Sequence, residues 1–384
     1  MAKVEIRKVE TKRELKAFID FHYDLYKGSP YDVPDLFSDV MNTLRKDKNA
    51  AFEFCEAEYF MAFKGGKMAG RVAALINHRA NDTWGRKEVR FGWIDFIDDM
   101  EVSAALFKAV EDYGRSKGMT EIVGPLGFTD MDQEGMLTWG FDELGTIATP
   151  YNYAYYPEHI RKMGGWEVDN NYLEFKIYVP DALPERLVKL TEMIKKRYGL
   201  RIKKLNKKDI FERGYGKAIF KLINDTYKVL YGYSELSPRQ IDQYVNQYFP
   251  LADLDFITAV EDPAAGDKLV GIAITLPSLS RALQKTRKGR LLPFGWWHLI
   301  KALKFHKTKI VDTLLMAVHP DYRNKGVNAV MIADLIPYYI KYGIEYGESQ
   351  LEMESNNAIQ NQWEMFERVN HKRRSVYKRA LQEV

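Results

Sequence analysis

The predicted helices and strands follow the same order twice along the chain, and this internal repeat constrains the fold more than any other feature. Period-two alternation of apolar residues predicts strands, and a period near 3.6 predicts helices. The first half reads as strand 4–9, helix 12–21, hairpin 58–77, strand 91–97, helix 102–114, strand 121–124, helix 157–163 and strand 172–179. The second half reads as strand 200–205, helix 215–230, hairpin 255–277, strand 309–318, helix 328–342, strand 350–354, helix 357–369 and strand 374–381. Both halves therefore predict an α/β fold with a mixed sheet.

The length of the chain supports two domains, because 384 residues exceed what one hydrophobic core usually organises. Proline and polar residues at 180–184 interrupt the pattern between the two repeats. We therefore expect one domain at 1–181 and a second at 182–384, with an insertion at 278–309 in the second.

The two halves of the sequence differ in net charge. Residues 1–200 carry 28 Lys and Arg against 33 Asp and Glu, whereas residues 201–384 carry 29 against 20. A basic half suggests an anionic ligand or surface. The lone Cys55 excludes an intramolecular disulfide, and the first residues lack the apolar stretch of a secretion signal. These features predict a cytoplasmic protein.

The segment 323–328 has the composition of a phosphate-binding loop. It joins a buried strand to a helix, whose N-terminal N–H groups and partial positive charge favour a diphosphate. Gly326 allows close approach of the backbone, Asn324 tolerates left-handed angles, and Arg323 and Lys325 add charge. An ordinary strand-to-helix turn explains the same spacing equally well, so the spacing alone leaves both interpretations open.

With Val318-His319-Pro320 before it, this loop resembles the acyl-CoA diphosphate loop of the GNAT superfamily. Asn328 departs from the family pattern, which has Gly or Ala there. The resemblance implies two tandem GNAT-like domains and a cosubstrate that is acyl-CoA or acetyl-CoA. The residues that it places at the cosubstrate are Met316, Ala317, Val318, Arg323, Asn324, Lys325, Gly326, Val327 and Asn328. In the first half the acidic residues 98–101 stand at the matching place, so that half has the character of a GNAT fold without its cofactor loop.

A narrower resemblance covers nearly the whole chain and points to the YghO-type branch, which includes bacterial ceramide synthases. It rests on residues 31–36, 124–125, 132–135, 140–141, 150–157, 292–296, 323–328 and 372–377. Members with an assigned role transfer a fatty acyl group to the amine of a sphingoid base. The resemblance therefore implies an N-acyltransferase acting on a small-molecule or lipid amine, from acyl-CoA or an acyl carrier protein. N-acetylation of a small molecule or protein, and a non-catalytic CoA- or lipid-binding regulator, remain as alternatives.

An acceptor amine must lose a proton, so a carboxylate or histidine near the cofactor strand is expected as the base. Glu354 is the first candidate because it ends the neighbouring strand; the others are Asp312, His319 and Glu352. For the acid, Tyr377 or Tyr322 are the candidates, because Trp363 and Phe366 lie where many superfamily members have tyrosine. No Cys or Ser stands in an activating motif, which favours direct attack by the amine. No residues have metal-ligand spacing, so we predict no metal.

The stretch 281–309 holds nine Lys and Arg and no acidic residue, interleaved with Trp296, Trp297 and other apolar side chains. A basic helix with a tryptophan-rich face is typical of interfacial membrane elements. Packing of these aromatics onto the domain is an equally good explanation, and no nucleic-acid module accompanies the basic residues. The tyrosines at 151–156 either line a substrate cleft or pack an interface. We expect no nucleic-acid partner, and peripheral contact with the inner membrane face is the alternative to a purely cytoplasmic location.

Overall fold

The computed structural model describes residues 3–250 and 252–381. These residues form a large mixed sheet with helices on both faces. The strands are β1 (Val4–Lys8), β2 (Cys55–Lys64), β3 (Lys67–Asn77), β4 (Glu88–Phe96), β5 (Glu121–Gly124), β6 (Met136–Trp139), β7 (Glu167–Tyr178), β8 (Arg201–Lys203), β9 (Ile257–Asp262), β10 (Lys268–Pro277), β11 (Ile310–Val318), β12 (Tyr346–Ser349), β13 (Glu352–Met353) and β14 (Arg368–Ala380).

Local sequence signals start and stop several of the helices. Thr11 and Ser237 each form a capping box at a helix start, and Gly85 and Gly199 end helices in the left-handed conformation. The helices are α1 (Lys12–Leu25), α2 (Phe37–Thr43), α3 (His78–Trp84), α4 (Met100–Ser116), α5 (Tyr155–Met163), α6 (Glu185–Tyr198), α7 (Lys207–Phe211), α8 (Tyr215–Tyr227), α9 (Pro238–Tyr248), α10 (Ser280–Leu283), α11 (Gly295–Lys304), α12 (Val327–Lys341) and α13 (Asn357–Asn361).

The strand order is β1-β2-β3-β4-β5-β14-β7-β12-β11-β10-β9-β8, with β6 on β14 and β13 on β7. Two neighbouring pairs are parallel, β4 with β5 and β11 with β12. Each pair stays together for only three or four residues before the longer strand continues without its partner. The sheet therefore contains two V-shaped openings, one in each half of the chain.

The two halves interlock through exchanged strands. The last strand, β14, lies between β5 and β7 of the first half. In return β7 pairs with β12 of the second half. The mixed α/β fold is confirmed, whereas the division at residue 181 stays a prediction. Because each half completes its sheet with a strand of the other, we expect neither half to fold alone.

A buried ionic network lies where the exchanged strands meet. Glu174 on β7 binds Lys372 at 2.8 Å and Arg374 at 2.5 Å, and Lys372 also binds Glu348 on β12 at 2.6 Å. Burial alone would raise the pKa of Glu174, but the two cations lower it to about 2. Removing one member of such a network leaves an uncompensated buried charge, at a cost of about 3–5 kcal/mol.

Near the C-terminus the predicted elements need correction. The helix predicted over 357–369 is only Asn357–Asn361, and the predicted strand 350–354 contains only the two residues of β13. Trp363 and Phe366 have helical spacing, but both pack against the cluster around Leu173 and Ile332. The chain then enters β14 at residue 368, earlier than the predicted 374.

Candidate functional site

The opening in the second half lies between β11 and β12. Their parallel pairing ends at Thr313 and Ser349, and β11 then continues to Val318. The loop 319–326 follows, with Asn324 at φ 60° and Gly326 at φ 76°. Both angles fall in the left-handed region that Gly and Asn tolerate best. The sequence therefore turns sharply from the strand into α12.

The first turn of α12 is not capped by a side chain in the described structure. Its N–H groups therefore remain available to an anion, which the partial positive charge of the helix end also favours. Tyr322 fixes the loop by donating to Asp262 at 2.5 Å, and the ammonium of Lys325 lies 4.5 Å from the Tyr322 ring. Arg323 is exposed and donates to the Thr226 carbonyl at 3.1 Å. The loop thus presents two cations beside an open helix end.

The corresponding helix of the first half, α4, has the opposite arrangement. Asp99 accepts hydrogen bonds from the N–H groups of Glu101 and Val102 at 3.0 and 3.4 Å. Lys64 pairs with Asp99 at 2.5 Å and with Glu101 at 2.8 Å. The protein's own carboxylate therefore occupies the place that an anionic ligand would take.

The end of β11 is covered by α8. The hydroxyl of Tyr227 donates to the Met316 carbonyl at 3.1 Å, and Thr226 donates to the Val318 carbonyl at 3.4 Å. The buried Ala317 packs in the cluster that contains α8. Sequence reasoning placed Met316, Ala317 and Val318 at the cosubstrate but missed both partners on α8, because nothing in the sequence relates residues ninety positions apart.

The catalytic candidates do not converge on this opening. Glu354 is exposed and accepts from the Asn171 amide at 3.1 Å, whereas Asp312 is fully buried at the base of β11. Burial and the nearby Glu348 raise the pKa of Asp312 to about 7. Tyr377 lies on β14 opposite Gly124, three strands away from β11.

His319, the remaining histidine candidate, has a local structural role. Its Nδ1 accepts a hydrogen bond from the backbone N–H of Asp321 at 3.2 Å, which caps the short turn after β11. Burial and the charge of Lys268 lower the pKa of His319. The ring is therefore neutral, and the nitrogen that a base would use is already engaged.

Glu352 has the properties that Glu354 lacks. Its side chain is buried on β13, which continues the arm of the opening opposite β11. One carboxylate oxygen accepts from the indole N–H of Trp363 at 2.8 Å, and the other has no hydrogen-bond partner among residues 3–250 and 252–381. Burial raises the pKa of Glu352 to about 7. Such a carboxylate exchanges a proton readily near neutral pH.

No family model matches the chain. Protein YghO of Escherichia coli K12 is 26% identical over 98% of this chain and 95% of its own length. A protein of Caulobacter vibrioides named bacterial ceramide synthase is 25% identical over 99% of this chain and 98% of its own length. Among solved structures, a tandem GNAT protein from the clavulanic acid biosynthesis pathway covers 100% of both chains with a TM-score of 0.56 and 12% identity.

The strand order and the two openings agree with that full-length structural match. The chain has the fold of a tandem GNAT protein. Its similarity to YghO and to the ceramide synthase extends over nearly the full length of all three chains, as the YghO-type resemblance predicts.

An acidic loop of the first half (residues 130–134) covers the opening of the second. Met131 packs in the same cluster as Leu315 and Ala317 of β11. On the other arm, Glu134 accepts from the hydroxyl of Tyr172 at 2.8 Å, and Tyr172 pairs with β13. Sequence reasoning gave these carboxylates no role; the stretch 132–135 that carries the YghO resemblance was the available signal.

Only some apolar side chains of the basic insertion (residues 281–309) pack onto the rest of the protein. Leu299 and Ala302 of α11 pack with Val33, Leu36 and Leu144 of the first half. The larger apolar side chains remain exposed: Leu291, Leu292, Phe294, Trp296, Trp297 and Phe305. Leu292 and Phe294 are 78% and 72% exposed. None of the helices within residues 3–250 and 252–381 is long and apolar enough to cross a membrane.

Proposed function

We propose that this tandem GNAT protein transfers an acyl group from acyl-CoA or an acyl carrier protein to a primary amine, with the donor bound at the opening of its second half. The uncapped N-terminus of α12, at the end of β11, carries this proposal. Arg323 and Lys325 add the charge that a diphosphate requires. The residues present therefore fit the CoA moiety. The absence of a resident metal and of a nucleic-acid partner stay predictions.

The reaction forms one bond, breaks one bond and moves two protons. The amine nitrogen forms a bond to the thioester carbonyl carbon, and the carbon–sulfur bond breaks. Starting from the ammonium, nitrogen loses one proton to an acceptor, which passes it to solvent, and a second proton that ends on the thiolate. An alkylammonium has a pKa near 10.4, so it needs a proton acceptor at neutral pH. We assign that acceptor to Glu352, directly or through a water, because Glu354 points to solvent while Glu352 is buried on the arm facing β11.

For the acceptor we propose a lipid amine of the sphingoid-base type, and for the donor a fatty acyl thioester. The relationship to a ceramide synthase supports this choice. So does the exposed apolar face of α11, which suits contact with a lipid surface. N-acetylation of a small molecule or protein would need no such face.

The reaction is tested by supplying the full chain with a sphingoid base and acyl-CoA donors of increasing chain length, and following free thiol together with the amide product by mass spectrometry. We expect amide with long-chain donors. Product only from acetyl-CoA would replace the fatty acyl donor with an acetyl donor. CoA binding without any product would favour a regulator, and absence of CoA binding would contradict the donor site.

We further propose that the insertion docks on anionic membranes at the inner face. Its basic residues include Lys301 and Lys304 beside the exposed tryptophans. Flotation with acidic liposomes should capture the wild type and weaken as salt rises, because exposed charges are screened beyond about 8–10 Å at ordinary ionic strength.

The double variant Trp296→Glu with Trp297→Glu should lose liposome binding, since both rings would lie at the lipid interface. Trp139→Glu is the matched control, because Trp139 is exposed to a similar degree outside the insertion. Equal flotation of the double variant and the control would contradict membrane docking.

A further inference from the structure

The first half keeps a cavity at its own opening, although its helix end is closed. The parallel pairing of β4 with β5 covers only Glu88–Arg90, after which β4 bulges at Trp93, whose φ is 43°. A cavity of about 70 Å³ lies beside this bulge. Its lining includes residues 92–95 of β4, Asp35, residues 133–136 and residues 150–152. Asp35, Glu134 and Tyr151 each belong to a stretch that carries the YghO resemblance.

Part of the charge around the cavity is already balanced. Asp95 binds His22 at 3.0 Å and Arg71 at 2.7 Å, and His22 lies 3.4 Å from Asp32. Burial alone would raise the pKa of Asp95, but Arg71 and His22 lower it to about 2. These four groups form a closed set of two anions and two cations, which leaves no net charge for a ligand.

Two further carboxylates of the cavity, Asp35 and Glu134, have only neutral partners. The Gln133 amide donates to Asp35 at 2.9 Å, and the hydroxyl of Tyr172 donates to Glu134 at 2.8 Å. Within the described ranges no Lys, Arg or His nitrogen lies within 4 Å of either carboxylate. Burial raises the pKa of Asp35 to about 6 and that of Glu134 to about 7.

Asp35 and Glu134 are half-buried. A carboxylate partly withdrawn from water without an ion-pair partner is unfavourable, and a bound cation lowers that cost. Aromatic rings complete the lining, since Trp93, Tyr151 and Tyr156 all border the cavity. The face of such a ring attracts an ammonium group. The volume admits only a few non-hydrogen atoms, which fits a head group and excludes a whole lipid or a nucleotide.

We propose that this cavity binds the ammonium head group of the acceptor, between Asp35 and Glu134. The inference rests on the proposed function for the identity of the acceptor. Glu134 also belongs to the acidic loop that covers the opening of the second half, so the bound head group would lie beside the proposed donor site. The membrane-facing insertion adjoins the same place: a Cβ added at Gly289 would lie 1.9 Å from the Asp35 carbonyl oxygen.

The probe is ethanolamine, which is an ammonium at neutral pH, and its uncharged analogue is ethylene glycol. Calorimetry on the full chain should detect ethanolamine and not ethylene glycol. Asp35→Asn and Glu134→Gln should each weaken ethanolamine binding at least tenfold, because the amide keeps the shape and removes the charge. Asp39→Asn is the control, being a half-buried carboxylate outside the cavity lining. Circular dichroism checks folding of each variant.

Absence of ethanolamine binding, equal binding of the neutral analogue, or unchanged affinity in both variants would overturn the inference. CoA binding should be unchanged in both variants, which separates this site from the donor site. Amide formation with an unaltered amine KM in both variants would contradict the cavity as the head-group site and leave the proposed function standing. Ethanolamine binding that depends on both carboxylates, without amide formation from any donor, would support the cavity as an ammonium site and contradict the proposed function.

Discussion

The helix that follows the opening is closed in the first half and open in the second, although both halves share one fold. At α4 the carboxylate of Asp99 satisfies the first N–H groups, whereas α12 begins at Gly326 without a side-chain cap. A capped helix end has its first N–H groups already bonded, whereas an uncapped end leaves N–H donors that an anion such as a diphosphate can satisfy. Under the proposed function this difference assigns the donor to the second half, whereas the first half has a closed helix end and a small polar cavity at its opening.

The sharpest test of this division concerns the base on the open side. Glu352→Gln keeps an oxygen for the Trp363 indole but cannot take a proton, so kcat at neutral pH should fall by about 10²–10⁴-fold. In the wild type the rate should rise as pH passes through about 7, because the carboxylate is the active form. That rise should be absent in the variant, while CoA affinity stays unchanged.

Glu354→Gln is the matched control for this experiment. Glu354 is exposed, so we expect kcat close to that of the wild type. The free energy of unfolding should change by less than about 0.5 kcal/mol, as for other surface substitutions. A large loss in Glu354→Gln together with normal kinetics in Glu352→Gln would return the base to the position that the sequence first indicated.

A second prediction closes the open helix end. Gly326→Glu places a carboxylate where the diphosphate would lie and a Cβ 2.5 Å from Ile194 at a φ of 76°. Loss of two charge-assisted hydrogen bonds at about 1.5–3 kcal/mol each should weaken CoA binding at least about a hundredfold. Gly266→Glu is the control, because Gly266 has a φ of 72° and open space around it.

Should Gly326→Glu fail to fold, Lys325→Ala offers a milder change without backbone strain. It removes one cation from the loop, so CoA affinity should fall about tenfold if that charge contacts phosphate. Unchanged affinity in Lys325→Ala and in a folded Gly326→Glu would contradict the comparison between the two helix ends.

Local patterns predicted the repeat, the strand β11 and the helix α12, because apolar periodicity and turn residues act over a few positions. The loop at 323–328 could be proposed as a phosphate site for the same reason, since its glycine and its cations are adjacent in sequence, and that role stays a prediction. Strand exchange was not predictable, because β14 pairs with β5 across more than 240 residues and nothing local marks that pairing. Glu352 and Glu354 also looked alike, as only tertiary packing buries one and exposes the other.

The cavity of the first half also depends on contacts between distant stretches, which the sequence does not show. Asp35, Glu134 and Tyr151 come from three separate stretches, each of which resembles the YghO-type branch. The sequence marked every stretch but could not show that they meet, because their contact depends on how α1, β4 and the acidic loop pack. The resemblance therefore marked the residues, and only the fold shows that they line one cavity.

The smallest predicted effect concerns the closed helix end. Asp99→Ala removes the cap of α4, so the free energy of unfolding should fall by about 1 kcal/mol, whereas Asp99→Asn should retain most of the stability. The hydrogen bond from Lys64 lowers the pKa of Asp99. Its charge therefore contributes at neutral pH, and this contribution is lost as pH falls through the folded-state pKa, below 3.8. Urea unfolding of both variants at pH 7 and pH 3 measures these differences.

CoA stoichiometry should stay at one in both variants, since Glu101 still stands at that helix end. A second equivalent of CoA bound by Asp99→Ala would mean that the cap alone had kept the first half from binding the cosubstrate.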